Sequence, residues 1–309
     1  MTAIDLATAK KWAFALVPAV ALLELGMHLW QTTGGVVPEA DWKAAREVVK
    51  AKVHPDDLVI FAPKWTDPLG REFLKDDVAT LEREAFGDVT RFPRALEVSI
   101  RGKHRSELEG WREVAREYVG KITVTTFENP SPVKVKDDLL DHANAQGMSV
   151  SRVDNNRETE CPFQQAGVRT GALGFGMAIP NERFVCPTGG FVGVSVLQPQ
   201  DHSARRCFYA PPQGGGSVLR VRFANVTFGT ALHGHHGIHW HQERGGVPVS
   251  LTWKADGKTL GRVVHVDGDG WKGFELDTRE LDGKKGELVA EVSAANGNTR
   301  MYCFEADTR

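Results

Sequence analysis

The sequence reads as an α+β multidomain chain: one N-terminal transmembrane helix, then a small α/β (Rossmann-like) domain, then an antiparallel β-sandwich. Three observations carry this. Residues 12–30 form one apolar run, WAFALVPAVALLELGMHLW. Between about 42 and 154, helical and strand patterns alternate. After about 155, helical periodicity is lost, Gly and Pro rise, and short alternating runs take over.

A helix over the 19-residue run would be about 28 Å long, near the thickness of bilayer hydrocarbon. Lys10 and Lys11 precede it, which keeps residues 1–11 cytoplasmic and sends the rest outward. Trp12 and Trp30 stand where indoles favour the headgroup layer. The expectation is a signal anchor of an inner membrane, with the bilayer as partner and the bulk of the chain periplasmic. Two rivals stand beside it: a cleavable signal peptide with Ala19-Val20-Ala21 as the small-x-small site, and a buried core helix. A carboxylate in mid-span is costly, so Glu24, with His28, marks a contact for a membrane-protein partner.

Residues 31–41, QTTGGVVPEAD, read as a linker. Asp41 is placed to cap a helix over 42–52. Residues 57–62, DLVIFA, read as a buried strand, and a helix is expected near 69–74. Further helices are expected over 77–86 and 106–118, the latter with Ser106 and Glu109 as a capping box. Strands are expected at 95–100 and 122–127, with 150–153 closing a mostly parallel, covered sheet. In the sandwich, 155–309, strands are expected over 191–197, 218–223, 247–253, 259–266, 270–276 and 288–292. Asp256-Gly257 is a hairpin signal between two of them.

Lys and Arg number 38 and Asp and Glu 40, without a long run of one sign, so no basic nucleic-acid surface is present. All four cysteines lie in the second half and none forms a CxxC pair, which argues against a zinc knuckle or thioredoxin-like site. In an exported chain an even count reads as two disulfides, against buried free thiols otherwise. Four cysteines allow three pairings. We favour Cys161–Cys186 and Cys207–Cys303, the second tying the first strand of the sandwich to its last.

No catalytic residue is identified; G-x-S-x-G is absent, and the loop after the 57–62 strand carries no G-x-G-x-x-G or Walker-type pattern. The loop after the 57–62 strand sits where open α/β sheets bind ligands, and offers Trp65 for stacking with Asp67 and Arg71 for polar contacts. These residues also serve a plain turn and helix face. Five of the eleven histidines fall between 233 and 241. With a strand over 238–243, His239, His241 and Glu243 share a face and could hold a divalent metal. No other cofactor is expected. Trp240 and Trp271 are candidates for sugar stacking, with core packing as the ordinary alternative for tryptophans in such strands, Trp253 included. Asp267 and Asp269 fall short of a calcium shell.

Two resemblances follow. Residues 57–128, with DLVIFAPKWTDPLGREFL, LEVSIRG and ITVTTFEN, resemble the soluble extracytoplasmic part of polyprenyl-phosphate-dependent glycosyltransferases related to protein mannosyltransferases. No position matches that family's catalytic carboxylates, so no catalytic residue is implied. Residues 205–309, with RRCFYAPP, VTFGTALHGHHGI, PVSLTWKADGKTLG, DGDGWKGFELDT and MYCFEADTR, resemble a galactose-binding-like jelly-roll module, which implies fold more than ligand. The histidine stretch half resembles a cupin motif but departs from its glutamate spacing. The function expected is a non-catalytic accessory or glycan-binding protein of envelope polysaccharide or glycoconjugate metabolism. The alternatives are a glycan-acting or metal-dependent enzyme using His233–His241, and a structural subunit of a membrane assembly.

Overall fold

The computed structural model describes residues 6–75, 77–79, 85–165, 179–187, 189–297 and 300–309, with side chains over 14–29 and from 36 onward. Helix α1, Leu6–Gly35, comes first, and its described apolar side chains point into solvent, Phe14 at 88 % exposure. Among the described residues no helix is long and apolar enough to cross a membrane, so the expected span over 12–30 is not supported. The side chains of Trp12 and Trp30 lie outside the described residues. Helix α2, Glu39–Lys52, follows after only residues 36–38, with Pro38 rather than Asp41 at its N-cap. Asp41 lies inside the helix, and its Oδ2 accepts from the Lys121 backbone N–H at 2.8 Å.

The first unit is a four-stranded sheet: β1, Asp57–Ala62; β2, Arg94–Ile100; β3, Arg112–Val119; β4, Ile122–Glu128. Their order is β1-β2-β4-β3. Only β1 and β2 run parallel, so the expectation of a mostly parallel, Rossmann-like sheet is not met. From Leu58 to Ala62 β1 is apolar at every position because both faces are covered. Val59 and Phe61 pack with Trp42 and Val49 of α2, while Leu58 and Ile60 pack with Phe86 and Leu108 on the other face. Helix α3, Asp67–Leu74, is seated on β1 at Gly70, where a Cβ would lie 2.1 Å from the Phe61 ring.

The helix expected over 106–118 is a single 3₁₀ turn, Ser106–Leu108, followed by β3. Gly110, at φ +84°, breaks the helical path. Gly120, at φ +58°, then makes the two-residue hairpin turn joining β3 to β4. The charged side chains of REVAREYV suit an exposed edge strand. Of the helix expected over 77–86, residues 80–84 lie outside the described residues, and 77–79 are not helical.

The remaining strands build a two-sheet antiparallel sandwich. They are β5, Asp137–Asp138; β6, Met148–Asp154; β7, Arg157–Cys161; β8, Phe163–Gln165; β9, Glu182–Val185; β10, Phe191–Leu197; β11, Arg205–Tyr209. Then come β12, Val218–Thr227; β13, Ala231–Ile238; β14, Val249–Ala255; β15, Lys258–His265; β16, Lys272–Asp277; β17, Lys285–Ala294; β18, Tyr302–Thr308. One sheet runs β16-β13-β18-β11-β10-β9-β8, with β5 beside β18. The other runs β15-β14-β17-β12-β6-β7. Residues 150–153 therefore belong to the sandwich, paired with β12, and not to the first sheet. Between the sheets lies one apolar core centred on Trp253, Phe208, Phe223 and Phe304. Trp253 is 0 % exposed, its ring centroid 5.5 Å from that of Phe304 and 5.9 Å from that of Phe274.

Both disulfides are those expected, Cys161–Cys186 and Cys207–Cys303. The first joins the end of β7 to the chain just after β9, and so staples one sheet to the other. The second links β11 to its neighbour β18. β18 is the last strand of the sandwich as expected, but β11 is not the first.

Candidate ligand-binding cleft

Where β1 ends, Lys64–Thr66 make a 3₁₀ turn closed by Thr66 Oγ1 donating to the Pro63 carbonyl at 2.7 Å. This turn throws Trp65 outward, 60 % exposed, and α3 begins at Asp67. Asp67 pairs with Arg71 one turn on, at 3.1 Å. The facing wall is the loop between β10 and β11, residues 198–204. Together they enclose a cleft of about 430 Å³ whose floor is Val59, Ile60 and Phe86.

The cleft is charged at its walls. Asp201 accepts from Lys64 Nζ at 2.6 Å and from Arg205 Nη2 at 3.2 Å. Burial works to raise the Asp201 carboxyl, but Lys64, Arg205 and the Ser203 backbone N–H outweigh it and hold it below the usual carboxylate range. Arg105 is nearly buried; its Nη1 donates to the Phe61 carbonyl at 3.1 Å while its Nε and Nη2 engage Glu107. Burial would raise Glu107 as well, and Arg105 outweighs it, bringing the carboxyl to about 2. Arg101 places its guanidinium carbon 5.7 Å from the Trp65 ring centroid.

The structure thus brings Trp65, Asp67 and Arg71 together in one cleft, and adds Lys64, Arg105, Asp201, His202 and Arg205. Those five went unnoticed in the sequence. The polar stretch QPQDHS between two strands marks a loop, but nothing local joins it to residues 64–71. Trp240 lies outside the cleft wall: its ring is 5.3 Å from His202 and its backbone N–H donates to the Gln198 carbonyl at 2.9 Å, so it supports the loop. Trp271 is half-buried, its Nε1 donating to the Gly87 carbonyl at 3.3 Å and its ring stacked on His235 at 5.8 Å. Neither presents an open sugar platform.

The proposed metal set is not assembled. β13 stops at Ile238, and Trp240–Gln242 form a 3₁₀ turn, so His239, His241 and Glu243 share no strand face. His239 is buried with its Nδ1 accepting from the His241 backbone N–H at 3.4 Å. Glu243 is drawn inward instead. Its Oε1 accepts from His265 Nε2 at 3.0 Å and from the backbone N–H of Gly268 and Gly270. Among the described residues, no group of three His, Cys, Asp or Glu side chains could hold a metal. Asp267 and Asp269 are likewise engaged, Asp267 with Arg300 and Gly245, Asp269 with Val266 and Lys272.

A larger cleft, about 580 Å³, lies between the two units beside β18. Its charges largely answer one another: Arg91 pairs with Asp138 at 2.6 Å, and His235 with Glu305 at 2.7 Å. Arg309 spans Asp307 and Asp88 at 2.6 and 2.7 Å. Burial raises the Glu305 carboxyl, with Asp307 and Asp138 adding to it against His235. This network joins the sandwich to the first unit and offers no exposed aromatic ring.

No family model matches the sequence, and no curated protein matches it. Similarity appears among solved structures. A structure of the CBM51-2 and INT domains of Clostridium perfringens ZmpB, in complex with GlcNAc, aligns at 14 % identity and TM-score 0.27, covering 63 % of this chain. This chain covers only 45 % of that structure. CBM51 from Clostridium perfringens GH95, in complex with methyl-galactose, aligns at 10 % identity and TM-score 0.27, covering 46 % of this chain and 94 % of that one. The C-terminal CBM6 of LamC from Zobellia galactanivorans aligns at 9 % identity and TM-score 0.21, covering 41 % and 86 %. At such TM-scores none of them places a ligand or a site residue on this chain. The matches give no support to the glycosyltransferase association.

Proposed function

We propose that this protein is a non-catalytic, extracytoplasmic glycan-binding component of envelope polysaccharide or glycoconjugate metabolism, and that its ligand seats on Trp65. The exposed Trp65 ring at the lip of the 430 Å³ cleft carries the reading. A flat indole accepts the apolar face of a sugar ring, while the Asp, Arg and Lys groups beside it supply hydrogen bonds to hydroxyls. Two disulfides support an oxidising compartment.

The test is calorimetric titration of the full chain against an oligosaccharide panel, with product release monitored in parallel. Binding without bond cleavage is expected, with affinity at least tenfold weaker in Trp65→Ala and an unchanged circular dichroism spectrum. Binding indifferent to Trp65→Ala, or cleavage of a bound oligosaccharide, would overturn the reading.

A further inference from the structure

Charge is distributed unevenly around the cleft. Lys64, Arg71, Arg105 and Arg205 line it, against Asp67 and Asp201. Arg71 is answered by Asp67, and Arg105 by Glu107, whose carboxylate also feels the Lys64 charge. One carboxylate, Asp201, then serves both Lys64 and Arg205. Arg205 is held in place by Nη1 donating to the Phe86 carbonyl at 2.9 Å, and its buried Nε has no hydrogen-bond partner. At the lip, Arg101 adds a further cation against the Trp65 ring. The cleft is therefore electropositive although the whole chain carries a formal charge of −2. A low-dielectric floor of Val59, Ile60 and Phe86 strengthens that field inside the cleft.

From the shared Asp201 and the cations around it, we infer that the glycan bound by this cleft carries an anionic substituent: a carboxylate, a sulfate or a phosphate. The inference rests on the glycan-binding reading and deepens it. The sugar ring lies on Trp65, and its anion completes the charge of Lys64 and Arg205, which Asp201 only half satisfies. A charge-assisted hydrogen bond in such a place is shorter and stronger than one to a neutral hydroxyl.

The experiment compares trigalacturonate with β-1,4-galactotriose, and with sulfated and phosphorylated galactose oligosaccharides, titrated into the full chain at low and high NaCl. The acidic trisaccharide is expected to bind at least tenfold more tightly than the neutral one, with the advantage shrinking as salt rises. The sulfated and phosphorylated arms identify which anion is preferred. Lys64→Gln leaves Asp201 and Arg205 one-to-one and, although it also removes a donor to sugar hydroxyls, should weaken the acidic trisaccharide far more than the neutral one and so remove most of the acidic preference. Trp65→Ala should weaken both. Equal or tighter binding of the neutral sugar, still dependent on Trp65, would overturn this inference and leave the glycan-binding reading standing. Absence of binding by every probe would overturn both. An acidic preference unchanged in Lys64→Gln would also overturn it, because the preference would then arise elsewhere.

Discussion

Lys64 donates to Asp201 at 2.6 Å across 137 residues of sequence, and this contact bridges the two walls of the cleft. Both side chains remain more than a third exposed, so the pair adds little to stability. Asp201→Ala should cost under ~1 kcal/mol in urea unfolding, since exposed ion pairs are worth that much or less. It should nonetheless raise affinity for an acidic oligosaccharide, because Lys64 and Arg205 both lose their counter-charge. Calorimetry with trigalacturonate reads the second effect independently of the first.

Arg309 is placed to matter more. Its guanidinium serves Asp307, which is buried, and Asp88 on the first unit. Arg309→Ala strands the Asp307 carboxylate away from water, and breaking a buried pair costs about 3 kcal/mol. A fall in the denaturation midpoint is expected, with partial rescue by the double variant Arg309→Met, Asp307→Leu.

The two disulfides should contribute unequally. Cys207–Cys303 closes 96 residues and Cys161–Cys186 closes 25. Loop-closure entropy assigns ~4–5 kcal/mol to the first and ~3–4 kcal/mol to the second. Paired Cys→Ser variants, compared by equilibrium unfolding, should rank in that order.

Acid should destabilise the sandwich through His236. Burial, reinforced by His265, Lys272 and His235 against the opposing pull of Asp269, pushes its imidazole down to about 3 from the ordinary 6.5. The unfolded chain binds a proton there that the folded one refuses. Its contribution is complete above about pH 6.5 and disappears as pH falls toward about 3. Over that interval the slope from one proton approaches ~1.4 kcal/mol per pH unit. His236→Leu should flatten the slope of unfolding free energy between pH 6 and 4; an unchanged slope would assign it elsewhere.

Truncation of Trp253 is the harshest core change. Trp253→Ala empties the centre of the ring cluster formed with Phe223, Phe274 and Phe304, and should cost ~3–5 kcal/mol. Thermal unfolding followed by near-ultraviolet circular dichroism reads it directly.

Much of the strand pattern was legible. DLVIFA and FVGVSVL appear as strands with the expected limits, because a segment buried on both faces or in alternation leaves an apolar signature. The disulfide pairing was legible from four cysteines and an export reading. REVAREYV was misread because Ser106 and Glu109 match a capping box, while Gly110 at positive φ breaks the helical path and Gly120 turns the chain from β3 into β4. Glu243 was misplaced because nothing local indicates that β13 ends at Ile238 and that the carboxylate turns inward to His265. Trp65, Asp67 and Arg71 are neighbours in sequence and could be grouped from their place after β1, but the 198–204 wall depends on how the sandwich docks, which no local pattern encodes.

The strand Tyr302–Thr308 lies in the interior of its sheet, between β13 and β11. During synthesis, both of those strands must wait, each with an open edge, until residue 308 has emerged. The first unit, whose strands all precede residue 129, can assemble in that interval. Closure of the sandwich then follows the emergence of all its other strands, and a nascent chain stalled before residue 302 would expose two unpaired strand edges to whatever quality control operates in its compartment.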